Sequence, residues 1–274
     1  MDQFNTSNQQ QEDSIDIKGL LFKVLGFWPY IIGSMLIGLT IALIANRYSR
    51  NVYELSAVLT VQEAENPLGG TGVSLAFNLG GMDKLESNIA VLKSFTLHEN
   101  VAKKLGWEVS YFGSGRLIET ERYKTASFEI VFDPSHKQPL DARFTISQDG
   151  NTIELNPEND EWSGKTYNYS TFNQSLAASF KLPTGKFKPN EWIQGDNYRF
   201  KIIPATAENS PIKGIFQFNS YESIAKSNLK KIKISSGDER GSGILTISSQ
   251  GYVPEKISDF LNAVSEELRQ YELS

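Results

Sequence analysis

Between Lys23 and Arg47 lie 23 residues, Val24 to Asn46, without a single charge: VLGFWPYIIGSMLIGLTIALIAN. A helix rises about 1.5 Å per residue and a bilayer's hydrocarbon core is roughly 30 Å thick, so about 20 apolar residues suffice to cross it. The run predicts one transmembrane helix. A buried helix of a soluble protein is the poorer reading, because such helices are usually shorter and keep a polar stripe. A cleaved signal peptide would want a short basic leader and a small-x-small cleavage site. Here the leader carries Glu12, Asp13 and Asp16, and Leu43-Ile44-Ala45 lacks the small residue at the third position back. Trp28 and Tyr30 near the start, with Tyr48 just past the end, stand where amphipathic rings favour the headgroup layer. Pro29 falls in the first turn, where a missing N–H costs little. Ser34, Gly38 and Ala42 recur every four residues and line one face, a candidate helix-packing surface in lipid. Small residues are also simply common in membrane helices, and both readings of the stripe stay open.

Beyond the span the period changes to two. Tyr53, Leu55, Ala57, Leu59 and Val61 alternate with polar residues and predict a half-buried strand. Residues 64–81 hold five glycines and a proline and read as a mobile loop; no Gly-Lys-Ser/Thr follows, so a phosphate cradle is not supported. Helical spacing appears at Leu85, Ile89 and Leu92. A second helix is expected to start at Thr96, with Glu99 completing a capping box, Leu97, Val101 and Leu105 on its apolar face and Gly106 ending it. Strands follow at Phe128-Ile130-Phe132 and at Phe144-Ile146, the latter turning through Asp149-Gly150 into Ile153-Leu155, and another at Tyr198-Phe200-Ile202. A helix capped at Asn219 carries Ile224, Ala225 and Leu229, then come strands at Ile232-Ile234 and Ile244–Ile247 around a loop of residues 237–243. Pro254 opens a strongly amphipathic helix with Ile257, Phe260, Leu261, Val264, Leu268 and Tyr271 at spacings of three and four. It has neither a glycine cap nor a proline stop before Ser274, which suggests that the helix continues in related or full-length proteins.

The net charge of −5 divides into −2 for residues 1–46 and −3 for the rest, and nothing resembles a nucleic-acid footprint. Lys18 and Lys23 before the span nearly balance Arg47 and Arg50 after it, so the positive-inside rule alone leaves orientation open. Residues 2–14, rich in Asn, Gln and Ser, are too polar to repay the entropy of ordering and predict a disordered tail. There are no cysteines, which removes disulfides and thiol chemistry, and only two histidines. His98 and His136 lie far apart without a metal-site pattern and are expected in core or surface roles. No catalytic or cofactor-binding motif occurs, so the sequence gives no positive case for an enzyme and calls for no cofactor. Trp107, Trp162 and Trp192 are expected as packing residues more than as sugar platforms.

Four stretches share an order with a known family: IDIKGLL before the span, YELSAVLTVQE after it, LESNIAVLKSFTLHENVAKKLGWEVSYF, and SGILTISSQGYVPEKISDFLNAVSEELRQYEL. They resemble the N-terminal chain-length-determinant (Wzz-type) domain of bacterial polysaccharide co-polymerases, particularly the membrane region of exopolysaccharide tyrosine autokinases. Residues 15–112 and 215–273 carry the resemblance, most tellingly Asn88–Ser94, Pro254-Glu255-Lys256 and Phe260-Leu261-Asn262; residues 140–215 look like an elaboration. The resemblance implies an inner-membrane protein with a cytoplasmic tail over 1–23, a span over 24–46 and an α+β periplasmic domain over 47–274, its helix over 254–274 leading toward a coiled coil. It also implies a homo-oligomer that controls polymer length or export in surface-polysaccharide biosynthesis. Its partners would be membrane lipid, a polysaccharide polymerase or export machinery, and a cytoplasmic tyrosine kinase where one exists. The sequence stops before any second span or kinase domain, so kinase activity does not carry over. The alternatives are the regulatory front half of a tyrosine autokinase, or an unrelated membrane-anchored binding module.

Overall fold

The structure, a computed structural model, describes residues 26–60, 85–113, 119–205, 212–236 and 244–273. The expected tail, Val24 and Leu25 of the span, Val61, and the loops over 64–81 and 237–243 lie outside the described residues. Two compact units divide the chain, residues 1–50 and 51–274.

Helix α1, Trp28–Tyr48, is the described part of the first unit's apolar run. Its 21 residues give about 32 Å of helix. Pro29 lies in its first turn, where no donor is lost, and Ser49 ends it in an extended conformation with its N–H on the Ala45 carbonyl. The helix runs two residues past Asn46, through Arg47 and Tyr48, because charge and a phenol do not break helical geometry at the edge of an apolar run. None of its residues is buried.

The second unit is mixed α and β. Its strands include β1 (Tyr53–Thr60), β2 (Val109–Gly113), β3 (Phe128–Phe132), β4 (Arg143–Asp149) and β5 (Thr152–Pro157), then β6 (Tyr198–Pro204), β7 (Lys213–Phe218), β8 (Ile232–Ser236) and β9 (Ile244–Gly251). Its helices are α2 (85–92), α3 (Phe95–Lys104), α4 (Tyr221–Lys231) and α5 (Pro254–Leu273). Two sets of strands build two cores. In the first, β1 and β8 flank β9 in an antiparallel sheet, with Ala57 opposite Ile247 and Leu59 opposite Leu245. Period-two alternation aims Leu55, Ala57, Leu59, Leu245 and Ile247 to one face, where they meet Phe260, Leu261 and Val264 of α5. Leu92 of α2 with Leu97 and Val101 of α3 closes this core.

In the second core, a six-stranded sheet runs in the order Gly185–Phe187, β5, β4, β7, β2, Thr120–Glu121. Residues 192–195 pair with β6 and β6 with β3 in a separate three-stranded sheet. Aromatic rings from both sheets share the interior. Phe144 stacks on Phe216 at 4.9 Å between centroids, and Phe200 meets Phe216 edge-on at 5.5 Å. The segment that looked like an elaboration, residues 140–215, thus supplies much of a core of its own. Ile224 of α4 packs against both cores.

The ends of elements show what sequence spacing fixed and what it missed. Gly106 adopts φ +63° after α3; its N–H reaches the Lys103 carbonyl and the N–H of Trp107 reaches that of Ala102, the two bonds of a Schellman ending. The Asp149–Thr152 hairpin closes through Gly150 and Asn151, with Gly150 at φ +60°. The starts of α3 and α4 are corrected. The cap of α3 is Ser94, whose hydroxyl accepts from the Leu97 N–H, and Thr96 is inside the helix. α2 ends so close upstream that Ser94 is the first residue free to turn extended. Glu99 instead pairs with Lys103 one turn on, at 3.0 Å. α4 is capped by Ser220, which accepts from the Ser223 N–H, while Asn219 is buried and bonds elsewhere.

Candidate functional site

A cavity of about 520 Å³ lies between α4 and the first turns of α5. Its position follows from local chemistry. β9 ends at Gly251, and the chain turns through Tyr252 and Val253 into α5, where Pro254 suits a first helical position. α4 crosses nearby, and Ser223, Ser227, Asn228 and Lys231 fall at spacings of three and four on the face it turns to the cavity. Ile224, Ile257 and Phe260 form apolar wall.

Asn219, displaced from the capping role, holds the back of the site. Its side-chain amide donates to the Trp107 carbonyl at 3.2 Å and to Ser110 Oγ at 2.8 Å, and its backbone N–H bonds the Glu108 carbonyl at 2.7 Å. Lys256, from the first turn of α5, pairs closely with Glu121 and places its ammonium 4.6 Å from the centre of the Trp107 ring. Lys231 is exposed as a residue and lines the cavity. Loss of solvation there holds it below the usual lysine range, and the like charge of Lys256 adds to that, with Glu121 opposing. Asn228 is 7% exposed, and its side-chain Nδ2 has no hydrogen-bond partner. The charged set around the cavity is therefore two lysines against one glutamate.

The residues singled out by sequence lie elsewhere. Trp28, Tyr30 and Tyr48 are all exposed on α1, as are Ser34, Gly38 and Ala42. The Ser34 hydroxyl donates back to the Ile31 carbonyl at 2.9 Å, and a Cβ at Gly38 would meet nothing within 4 Å. Trp107 is buried and Trp162 packs partly buried against the aromatic core, but Trp192 is 41% exposed, with Arg199 and Lys201 over its ring at 5.0 and 5.3 Å. Tyr271 is 55% exposed, so the apolar face of α5 ends at Leu268. His98 is a core residue and His136 is half-buried. Among the described residues no three His, Cys, Asp or Glu side chains group as metal ligands.

No family model matches this chain. A tyrosine-protein kinase, ptk, of Acinetobacter johnsonii is similar to it: 23% identical over 266 residues, taking in 92% of this chain. The chain spans about a third, 34%, of that kinase's length. Asn228, Lys231, Lys256 and Glu121 come from three separate elements, and sequence spacing did not join them. The available signal was a polar residue at a core-facing position: Asn228 follows buried Tyr221 and Ala225 at helical spacing.

Proposed function

We propose that this chain is a non-catalytic inner-membrane co-polymerase subunit of a bacterial surface-polysaccharide system, regulating polymer length or export as a scaffold. The observation that carries this reading is α1: 21 residues, long and apolar enough to cross a bilayer, with no part of it buried. An apolar helix left uncovered by its own chain is stable in lipid and costly in water. It directly precedes in sequence an α+β unit whose residues resemble the chain-length-determinant domain. Residues 1–23 stand in the cytoplasm and the unit after the span in the periplasm. Confinement to the membrane raises the effective concentration of copies and partners, so weak homo-oligomeric and polymerase contacts suffice.

Deleting the gene tests this. The expected result is a changed length distribution or amount of surface polysaccharide on a gel, restored by the full chain. Unchanged length and amount would overturn the proposal. The similarity to the ptk kinase favours a second reading, the regulatory front part of a tyrosine autokinase. That reading expects a cytoplasmic kinase whose tyrosine phosphorylation rises when this chain is co-expressed.

A further inference from the structure

The charged residues that line the cavity between α4 and α5 are two lysines and one glutamate. Most of the cavity's polar atoms are already committed: Asn219 to Trp107 and Ser110, Gln250 to Glu54 at 2.8 Å, Lys256 to Glu121, and the Ser223 hydroxyl to the Ser220 carbonyl at 2.9 Å. Two donors are not. Asn228 Nδ2 is buried without a partner, a costly state unless a ligand or water accepts from it. Lys231 makes no close ion pair among the described residues, the only one formed by Glu121 at this cavity being with Lys256, and it lines the cavity with that second lysine. A ligand that completes this site brings acceptor oxygens and negative charge.

The remaining surface narrows the class. The hydroxyls of Ser227 and Ser249 both donate and accept, as sugar hydroxyls do, and Ile224, Ile257 and Phe260 supply apolar wall for ring carbons. At about 520 Å³ the cavity falls within the roughly 300–1,000 Å³ of small-molecule sites. We infer that this cavity binds an anionic sugar unit, its carboxylate or phosphate held by Lys231 and Asn228 and its hydroxyls by Ser227 and Ser249. The anion follows from Lys231 and the unpartnered Asn228 lining one cavity; the choice of a sugar rests on the polysaccharide reading above. No bond is made or broken.

The test is calorimetric titration of the full chain in detergent micelles with glucuronate, glucose 1-phosphate, glucose and inorganic phosphate. The expected result is binding of one or both charged sugars at least tenfold tighter than glucose or phosphate. Lys231→Gln, a change at an exposed residue that leaves folding intact, weakens the charged sugar at least tenfold. Asn228→Leu, which fills the space without a donor, weakens it as well, and native-like amide spectra for both variants exclude unfolding. A charged sugar bound no tighter than glucose, phosphate alone binding equally well, or full binding by Lys231→Gln would each overturn the inference. Failure here is distinct from failure of the proposed function. A deletion strain with altered polysaccharide and a chain that binds no charged sugar would sink only the site.

Discussion

His98 joins three elements through one ring. It is fully buried, its Nε2 lies 2.9 Å from the carbonyl of Leu92 at the end of α2, and its ring stacks on Phe260 of α5 at 5.7 Å. A carbonyl accepts only, so Nε2 carries the proton, and Nδ1, which has no partner, is bare. Burial holds the imidazole below its usual 6.5 and outweighs the opposing pull of the Leu92 carbonyl. The folded state thus binds fewer protons than the unfolded one. This contribution is whole above the unfolded pKa and is lost as pH falls below about 6.5, at up to about 1.4 kcal/mol per pH unit. Thermal melts of the full chain are expected to drop between pH 7 and pH 5.5, before most carboxylates titrate. His98→Gln should flatten that drop while lowering the midpoint at pH 7. An identical pH slope in His98→Gln would contradict the account.

At the scale of elements, α5 shows how a helix end can be held from the side. Asn88 of α2, 3% exposed, donates to Glu272 Oε1 at 2.7 Å, and Lys104 of α3 reaches Glu267 at 3.2 Å. Asn88→Ala should cost about 1 kcal/mol locally and speed amide exchange over residues 270–273, leaving α4 unchanged. Equal protection in the variant would mean that α5 holds its last turn unaided. On α1, Ser34, Gly38 and Ala42 form a stripe without bulk. Leucine at all three positions should shift oligomers toward monomer in detergent, by cross-linking or sedimentation, because close backbone approach is lost. Unchanged assembly would remove that face from consideration.

At the scale of the whole molecule, one apolar helix and one compact α+β unit make distinct demands on solvent. The full chain is expected to stay with membranes through a carbonate wash, and reporters fused at Gln10 and Ser274 should read opposite sides of the bilayer. Release of the uncleaved chain by carbonate, or both reporters active on one side, would contradict the single crossing. The local pattern was enough for the long apolar helix, the alternating strand after it, the Gly106 ending, the Gly150 hairpin and the amphipathic α5, because each depends on neighbours within a few residues. Helix starts were less legible: Ser94 and Ser220 win over Thr96 and Asn219 because upstream helix geometry and the Trp107–Ser110 segment decide which residue is free to cap. The cavity was not legible at all. Asn228, Lys231, Lys256 and Glu121 stand up to 135 positions apart, as far as the paired Glu121 and Lys256. Only the fold, by setting α4 and the first turns of α5 around one cavity, turns separated polar residues into one charged, partly desolvated surface.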